Sequence, residues 1–140
     1  MTTTITKSVF FNASRETVWS YLTDKDKLGE WYHPAVANLS AGSPYKLYEK
    51  GSDPEGPAMI WGDVKDMQSP SKLVTTFCIP PFGDVETIVT WTLEDAAGGT
   101  RLTVTHEGVA EAMGDAAMGL LQALDKGWDE HFQQLRDSIA

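Results

Sequence analysis

The end of the chain is a long amphipathic helix, and it limits what the rest can fold into more than any other feature. From about Gly114 onward, apolar residues recur at the i, i+3, i+4 spacing of a helix with one buried face. Such a helix is not stable alone in water, because its broad apolar face needs a surface to cover it. The rest of the chain must supply that surface. The apolar series is Ala117, Leu120, Leu121, Leu124, Trp128, Phe132, Leu135 and Ile139.

The segment between His33-Pro34 and this helix has a period of two, which predicts short strands separated by turns rich in Gly, Pro and Ser. Neighbouring strands joined this tightly must be antiparallel, since parallel neighbours need a long crossover. We therefore expect an antiparallel sheet whose concave face receives the closing helix. The predicted strands are Ala35 to Leu39, Tyr45 to Lys50, Ala58 to Met67, Lys72 to Ile79, Val85 to Glu94 and Thr100 to Glu107.

The beginning of the chain predicts one further strand and two short helices. Thr4 to Phe11 is rich in β-branched and aromatic residues and reads as a strand. A helix follows to about Leu22, capped by either Asn12 or Ser14. A second short helix is expected from about Lys25.

Two predicted strands show which side chains face the core. In the run Val85 to Glu94 the odd-numbered residues, Val85, Thr87, Val89, Trp91 and Leu93, form the more apolar face and should point inward. In the next run Leu102, Val104 and His106 alternate with polar residues. His106 is therefore expected to lie inside.

Composition fits one domain over residues 1–140 and disfavours several partners. The chain has 140 residues, of which 41% are hydrophobic, enough for one core and too few for two. Its 20 acidic and 11 basic residues give a formal net charge of -9, which repels nucleic acids and anionic membrane surfaces. No segment reads as a signal peptide or a membrane span, and Cys78 has no disulfide partner, so a cytoplasmic location is expected.

Several short motifs occur in a fixed order along nearly the whole chain. The motifs are Phe11 to Trp19 with Leu22-Thr-Asp24 and Trp31, then Gly62-Asp-Val64 with Pro70 and Leu73, Thr90-Trp-Thr-Leu93, Gly99 to Gly108, and Gly127-Trp128. The opening run resembles the superfamily of START domains, polyketide cyclases and birch-pollen allergens. The later motifs look like its bacterial branch named for the C-terminal domain of the activator of heat-shock-protein-90 ATPase.

This resemblance implies an α+β helix-grip (START-like) fold. In that fold a curved antiparallel sheet of about six to seven strands wraps round the C-terminal helix, and an internal cavity lies between them. It does not imply one reaction, because the fold hosts carriers, cyclases and chaperone partners alike. The favoured hypothesis is binding of a hydrophobic small molecule that is lipid-like, aromatic or polyketide-like. The alternatives are a cyclase or hydratase-like enzyme that uses His106, and a chaperone-related interaction module, for which a homodimer is one form.

Aromatic and apolar residues on the predicted inner surfaces are the candidates for lining the cavity. Packing of the core explains any one of them as well, because aromatic side chains bury large areas. Cavity lining is favoured only for the set as a whole. The candidate ligand-binding residues are Trp31, Trp61, Phe77, Trp91, His106, Leu121, Leu124 and Trp128.

His106 and Glu49 are the candidates for proton transfer. A buried carboxylate beside an imidazole would form a general acid–base pair. For His106 the competing explanation is a neutral, hydrogen-bonded core histidine, which we rank somewhat ahead of catalysis. If Tyr45 and Leu47 point inward, alternation along the strand turns Glu49 inward too. If Tyr48 points inward instead, Glu49 faces water. The pattern leaves both orientations open.

Neither a metal nor a cofactor is expected. His33, His106 and His131 lie in different predicted elements without a short-range pair of ligands. No glycine-rich phosphate loop follows a predicted strand.

Overall fold

The computed structural model describes residues 3–139, so Met1, Thr2 and Ala140 of the predicted domain lie outside the described residues. Single 3-10 turns occur at Pro80–Phe82 and Gly114–Ala116. The helices and strands are β1 (Thr4–Phe11), α1 (Arg15–Thr23), α2 (Lys25–Trp31), β2 (Pro44–Leu47), β3 (Ile60–Gln68), β4 (Lys72–Phe77), β5 (Thr87–Ala96), β6 (Gly99–Glu107), α3 (Val109–Met113) and α4 (Ala117–Ile139).

The two short helices are set by polar caps. The Ser14 hydroxyl accepts a hydrogen bond of 3.2 Å from the Thr17 amide, so Ser14 and not Asn12 caps α1. Asp24 follows α1 directly, and its carboxylate accepts from the amides of Asp26 and Lys27 at 3.0 Å each to start α2. One residue therefore ends the first helix and begins the second, which fixes the corner between them.

The strands form one antiparallel sheet in the order β1-β6-β5-β4-β3-β2. The β5–β6 hairpin turns at Ala97 and Gly98, whose φ angles of 50° and 83° match a tight two-residue hairpin turn. With the long C-terminal helix packed on it, the sheet has the helix-grip architecture. The predicted fold class is confirmed.

The predicted strand Ala35 to Leu39 is absent, because its backbone groups have other partners. Only Ala35 forms a bridge, with Leu47. The Leu39 amide donates to the Thr23 carbonyl at 2.9 Å, and the Asn38 side chain accepts from the Lys25 amide at 2.9 Å. Ala35 and Val36 therefore reach β2, the latter through its amide to the Lys46 carbonyl at 3.0 Å, while the rest of the segment is tied to the helical corner.

The core lies between the concave face of the sheet and α4. In β5 the side chains of Thr87, Val89, Trp91 and Leu93 are buried as predicted. Val85 is 45% exposed, so its predicted inward orientation is wrong, because it precedes the strand and does not share its alternation.

The long helix starts later than the sequence pattern indicates. Gly114 adopts a φ of 55° and separates the short helix α3 from α4, which begins at Ala117. Trp128, Phe132 and Leu135 of α4 are buried, as its apolar face predicts.

Candidate ligand-binding site

A small cavity lies inside the grip, between the sheet and the helical corner. Its volume is about 30 Å³, and Trp91, Phe77, Val89, Leu22 and Tyr45 are among the side chains that line it. A water molecule needs roughly 10–15 Å³ by a comparable measure. The interior is therefore nearly filled, and this cavity alone does not hold an organic ligand.

A larger pocket of about 210 Å³ lies beside it, where α4 faces the turn after α2 and the adjoining ends of β3 and β4. An engineered cavity of about 150 Å³ in another protein binds benzene. This pocket therefore has room for one aromatic ring with a substituent. Its lining residues are Tyr32, His33, Met59, Ile60, Phe77, Ile79, Ala123, Leu124, Gly127, Trp128 and His131.

Three side chains, Tyr32, Ile60 and Phe77, line both spaces and so form the wall between them. The Tyr32 ring stacks on Trp31 with centroids 5.0 Å apart and on Trp128 at 5.7 Å. Burial, and the nearby Tyr45 phenol, raise the pKa of the Tyr32 hydroxyl well above its usual range. This wall consists of two aromatic rings and one aliphatic side chain and is uncharged.

Two histidines that are far apart in the sequence meet at this pocket. His33 follows α2 and His131 lies on α4, yet their ring centroids are 5.4 Å apart and nearly perpendicular at 72°. Tyr32 contacts both rings, at 4.8 Å and 4.7 Å. The two residues lie in different elements, as the sequence indicates, and the fold brings their rings together; we call them the histidine pair.

Both rings of the histidine pair lose basicity in this apolar surrounding. Burial, and repulsion from His131, lower the pKa of His33 to about 4. Burial also lowers the pKa of His131, against the opposing effects of the Trp31 carbonyl, Gln134 and Glu130. The pair is therefore neutral near pH 7.

The tautomer of His131 follows from its neighbour. Its Nδ1 lies 3.3 Å from the Trp31 carbonyl oxygen, which can only accept a hydrogen bond. We therefore assign the hydrogen to Nδ1, which leaves Nε2 of the neutral ring as an acceptor. His131 is thus held to the end of α2 through one nitrogen, while the other carries a lone pair.

His106 lies deeper and is part of a chain of hydrogen bonds that runs from Trp128 to the Phe77 carbonyl. The Trp128 indole N–H donates to its Nδ1 at 3.4 Å, so Nε2 carries the hydrogen and donates to the Thr87 hydroxyl at 2.8 Å. That hydroxyl in turn donates to the Phe77 carbonyl at 2.7 Å. The ring is 0% exposed, and burial lowers its pKa to about 4. Its inward orientation agrees with the prediction, and both its nitrogens are already engaged.

The other predicted site residues are divided among several places. Phe77 lines both spaces, Trp91 lines the small cavity, and Leu124 and Trp128 line the larger pocket. Trp31 is packed in the core and donates its indole N–H to the Tyr21 carbonyl at 2.8 Å.

Trp61, Leu121 and Glu49 lie outside the interior of the grip. Trp61 lines a separate surface depression with Cys78 and Asp63, because Ile60 is the inward residue of its strand. Leu121 faces another surface depression beside β1. Tyr45 and Leu47 do point inward, but β2 ends at Leu47 and leaves Glu49 exposed beyond it, so Glu49 does not join His106.

Two glycines of α4 differ in their relation to the pocket. A Cβ built on Gly127 meets no heavy atom within 4 Å, and Gly127 lines the larger pocket. A Cβ on Gly119 is equally unobstructed, but Gly119 lies on the exposed part of the helix. The two positions therefore form a matched pair for substitution.

Residues 3–139 contain no cluster of three or more His, Cys, Asp or Glu side chains that could hold a metal ion. Within the same range, none of the helices has the length and apolar character needed to cross a membrane.

Solved structures with this fold include proteins from several bacteria. The crystal structure of CalU16 from Micromonospora echinospora has a TM-score of 0.77 and 20% sequence identity, over 99% of this chain and 77% of that chain. The solution structure of the Aha1 dimer from Colwellia psychrerythraea has a TM-score of 0.77 and 18% identity, over 98% and 96%. The solution structure of BH1534 from Bacillus halodurans has a TM-score of 0.75 and 27% identity, over 100% of both chains.

No curated protein shows a significant match to the chain. The sequence pattern of one family, described as activator of Hsp90 ATPase homolog 1-like protein, matches residues 12–140. That match spans α1 to α4 and both spaces described above, and it confirms the resemblance drawn from the motifs. The chain belongs to the activator of Hsp90 ATPase homolog 1-like protein family.

Proposed function

We propose that the protein binds a small aromatic molecule in the larger pocket. The observation that carries this proposal is the 210 Å³ space walled by Tyr32, Phe77 and Trp128. Apolar, aromatic-lined pockets with a few polar groups are the usual sites for small organic ligands. The fold also supports binding of a hydrophobic ligand, since members of this superfamily bind hydrophobic ligands or act as polyketide cyclases.

Size selects among the hydrophobic classes considered from the sequence. Sites for drug-sized ligands occupy roughly 300–1,000 Å³, more than this pocket offers. The adjoining cavity of about 30 Å³ adds little room for an acyl chain. A ligand built on one aromatic ring therefore fits better than a lipid or an extended polyketide.

The arrangement of His106 supports binding over proton transfer by this residue. A general acid or base has to reach the proton that it moves, directly or through one water. His106 is 0% exposed and its two nitrogens are bonded to Trp128 and Thr87. We therefore propose that His106 supports the pocket wall through Trp128 and does not act on a substrate.

Two further expectations remain proposals. The free thiol of Cys78 supports a cytoplasmic location. A homodimer is the second of these proposals. The relative from Colwellia psychrerythraea was solved as a dimer, and at 18% identity the likeness supports the shared fold alone.

Toluene is a suitable probe, because it is apolar and contains one ring. We expect it to change tryptophan emission saturably through Trp128 and to raise Tm by binding the folded state. At a free concentration ten times Kd the stabilisation is about 1.4 kcal/mol. Emission titrations and thermal melts on the same protein measure both effects.

A matched pair of variants places the binding site. Gly127→Leu adds a side chain in the pocket and should abolish toluene binding, whereas Gly119→Leu, on the exposed part of the same helix, should retain it. Absence of a saturable response in the wild type, or equal binding by the two variants, would contradict the proposal.

A further inference from the structure

We propose that the histidine pair makes this pocket selective for monocyclic aromatic molecules that carry a hydroxyl group, over the same ring without one. The inference rests on the proposed function, because it names the class of ligand that the same pocket takes.

Apart from the histidine pair and Tyr32, the lining of the pocket is mainly apolar. Met59, Ile60, Ile79, Leu124 and Trp128 make most of the wall apolar. The rings of His33 and His131 lie 5.4 Å apart on the same lining, next to each other and both against Tyr32. A ring seated against the apolar wall would therefore have its polar substituent at the histidine pair.

The chemistry of the pair matches a neutral hydroxyl group. Nε2 of His131 is the unprotonated nitrogen and can accept a hydrogen bond from a phenolic O–H, because Nδ1–H donates to the Trp31 carbonyl. Among the described residues, no hydrogen bond involves the ring nitrogens of His33, and its N–H can donate to the phenolic oxygen. A hydroxyl group supplies the donor and the acceptor that these two rings need.

A charged ligand group fits less well. An anion would be stabilised by imidazolium, but both rings are partly buried in an apolar surrounding that disfavours their charged form. Glu130, next to His131 on α4, and the net charge of -9 add repulsion. A neutral phenol avoids both costs and still satisfies the pair.

The test compares phenol with toluene, which have the same ring and differ in one hydroxyl or methyl group. Dissociation constants are measured by amide chemical-shift titrations on the wild type, His131→Phe and His33→Phe. In each protein we form the ratio of the toluene Kd to the phenol Kd. Comparing this ratio between proteins cancels any effect of a substitution that weakens both ligands equally. We expect this ratio to fall roughly fivefold to tenfold in each histidine variant, the equivalent of one net hydrogen bond.

Leu124→Ala is the matched control, because it removes apolar lining from the same pocket. It should weaken both ligands and leave the ratio unchanged. In the wild type, phenol should also shift the Nε2 nitrogen resonance of His131, and toluene should not. This readout does not depend on the folding of any variant.

The outcomes separate this inference from the proposed function. If neither ligand binds the wild type, both proposals fail. If both bind but the ratio is the same in all proteins and phenol leaves the Nε2 resonance unmoved, the selectivity is overturned while aromatic binding stands.

Discussion

The molecule holds neutral histidines in two different settings. His106 lies inside the grip with both ring nitrogens bonded to side chains of its own chain. His131 lies at the pocket with one nitrogen bonded to the Trp31 carbonyl and the other left as an acceptor. Burial lowers the pKa of both rings. Burial and a lowered pKa therefore do not distinguish a histidine with a structural role from one that can bind a ligand. The difference is whether the second ring nitrogen already has a hydrogen-bond partner in the protein.

The largest expected effect tests the structural role of His106. His106→Ala leaves a hole in the core and an indole N–H of Trp128 without its acceptor, and should lower the free energy of unfolding by about 3–4 kcal/mol. His131→Ala, at the half-buried pocket, should lower it by about 1 kcal/mol. Urea unfolding of the two variants measures both. Equal losses would remove the distinction between the two settings.

A second, smaller effect concerns acid. The folded-state pKa of His106, about 4, lies below its usual value of 6.5, so the unfolded state binds more protons between these two values. The stability that this residue contributes is complete above pH 6.5 and is lost as the pH falls towards 4. We expect a loss of roughly 2 kcal/mol between pH 7 and pH 4.5 from this residue.

The same series on His106→Ala isolates that contribution. His33 and His131 also have lowered pKa values, and they add to the acid loss in both proteins. The difference between the wild type and the variant therefore reports His106. A variant with the same pH dependence as the wild type would show that His106 is not held neutral by the fold.

The smallest expected effect is at the pocket wall. Alanine in place of glycine inside a helix stabilises it by up to about 1 kcal/mol, and both Gly127 and Gly119 have space for a Cβ. Gly127→Ala and Gly119→Ala should therefore raise the free energy of unfolding to similar extents, which urea unfolding measures. Only Gly127→Ala should weaken toluene binding, because only Gly127 lines the pocket. A weaker affinity in both variants would indicate an effect on the helix and not on the pocket.

Local patterns were sufficient to predict most of the fold. The alternation in β5 predicts the buried set from Thr87 to Leu93, and the same reasoning turns His106 inward. The helical spacing predicts the buried side chains Trp128, Phe132 and Leu135. Each of these residues takes its orientation from its own strand or helix, which the period of the sequence records.

The site depends on contacts that no local pattern records. Trp31 and His131 are 100 positions apart in the chain, and only the packing of α4 on the end of α2 brings them together. A weak signal was present, since His33 lies just beyond Tyr32, the residue after α2, and His131 follows Trp128 by three positions on the helix. Trp61 was misplaced for a related reason, because the inward phase of its strand is set by pairing with its neighbours.

The position of β1 at the edge of the sheet affects the order in which the parts of the protein fold. β1 is synthesised before β6, and in the described sheet β6 is its one neighbour, so the Ser8–Thr103 hydrogen bond between them spans 95 residues. Pairing over such distances is slow, because a long loop must close before any contact compensates for its entropy. Lys7 of β1 also pairs with Asp125 and Asp129 of α4. The pocket also depends on residues that are synthesised late, because Leu124, Trp128 and His131 of its lining lie on α4.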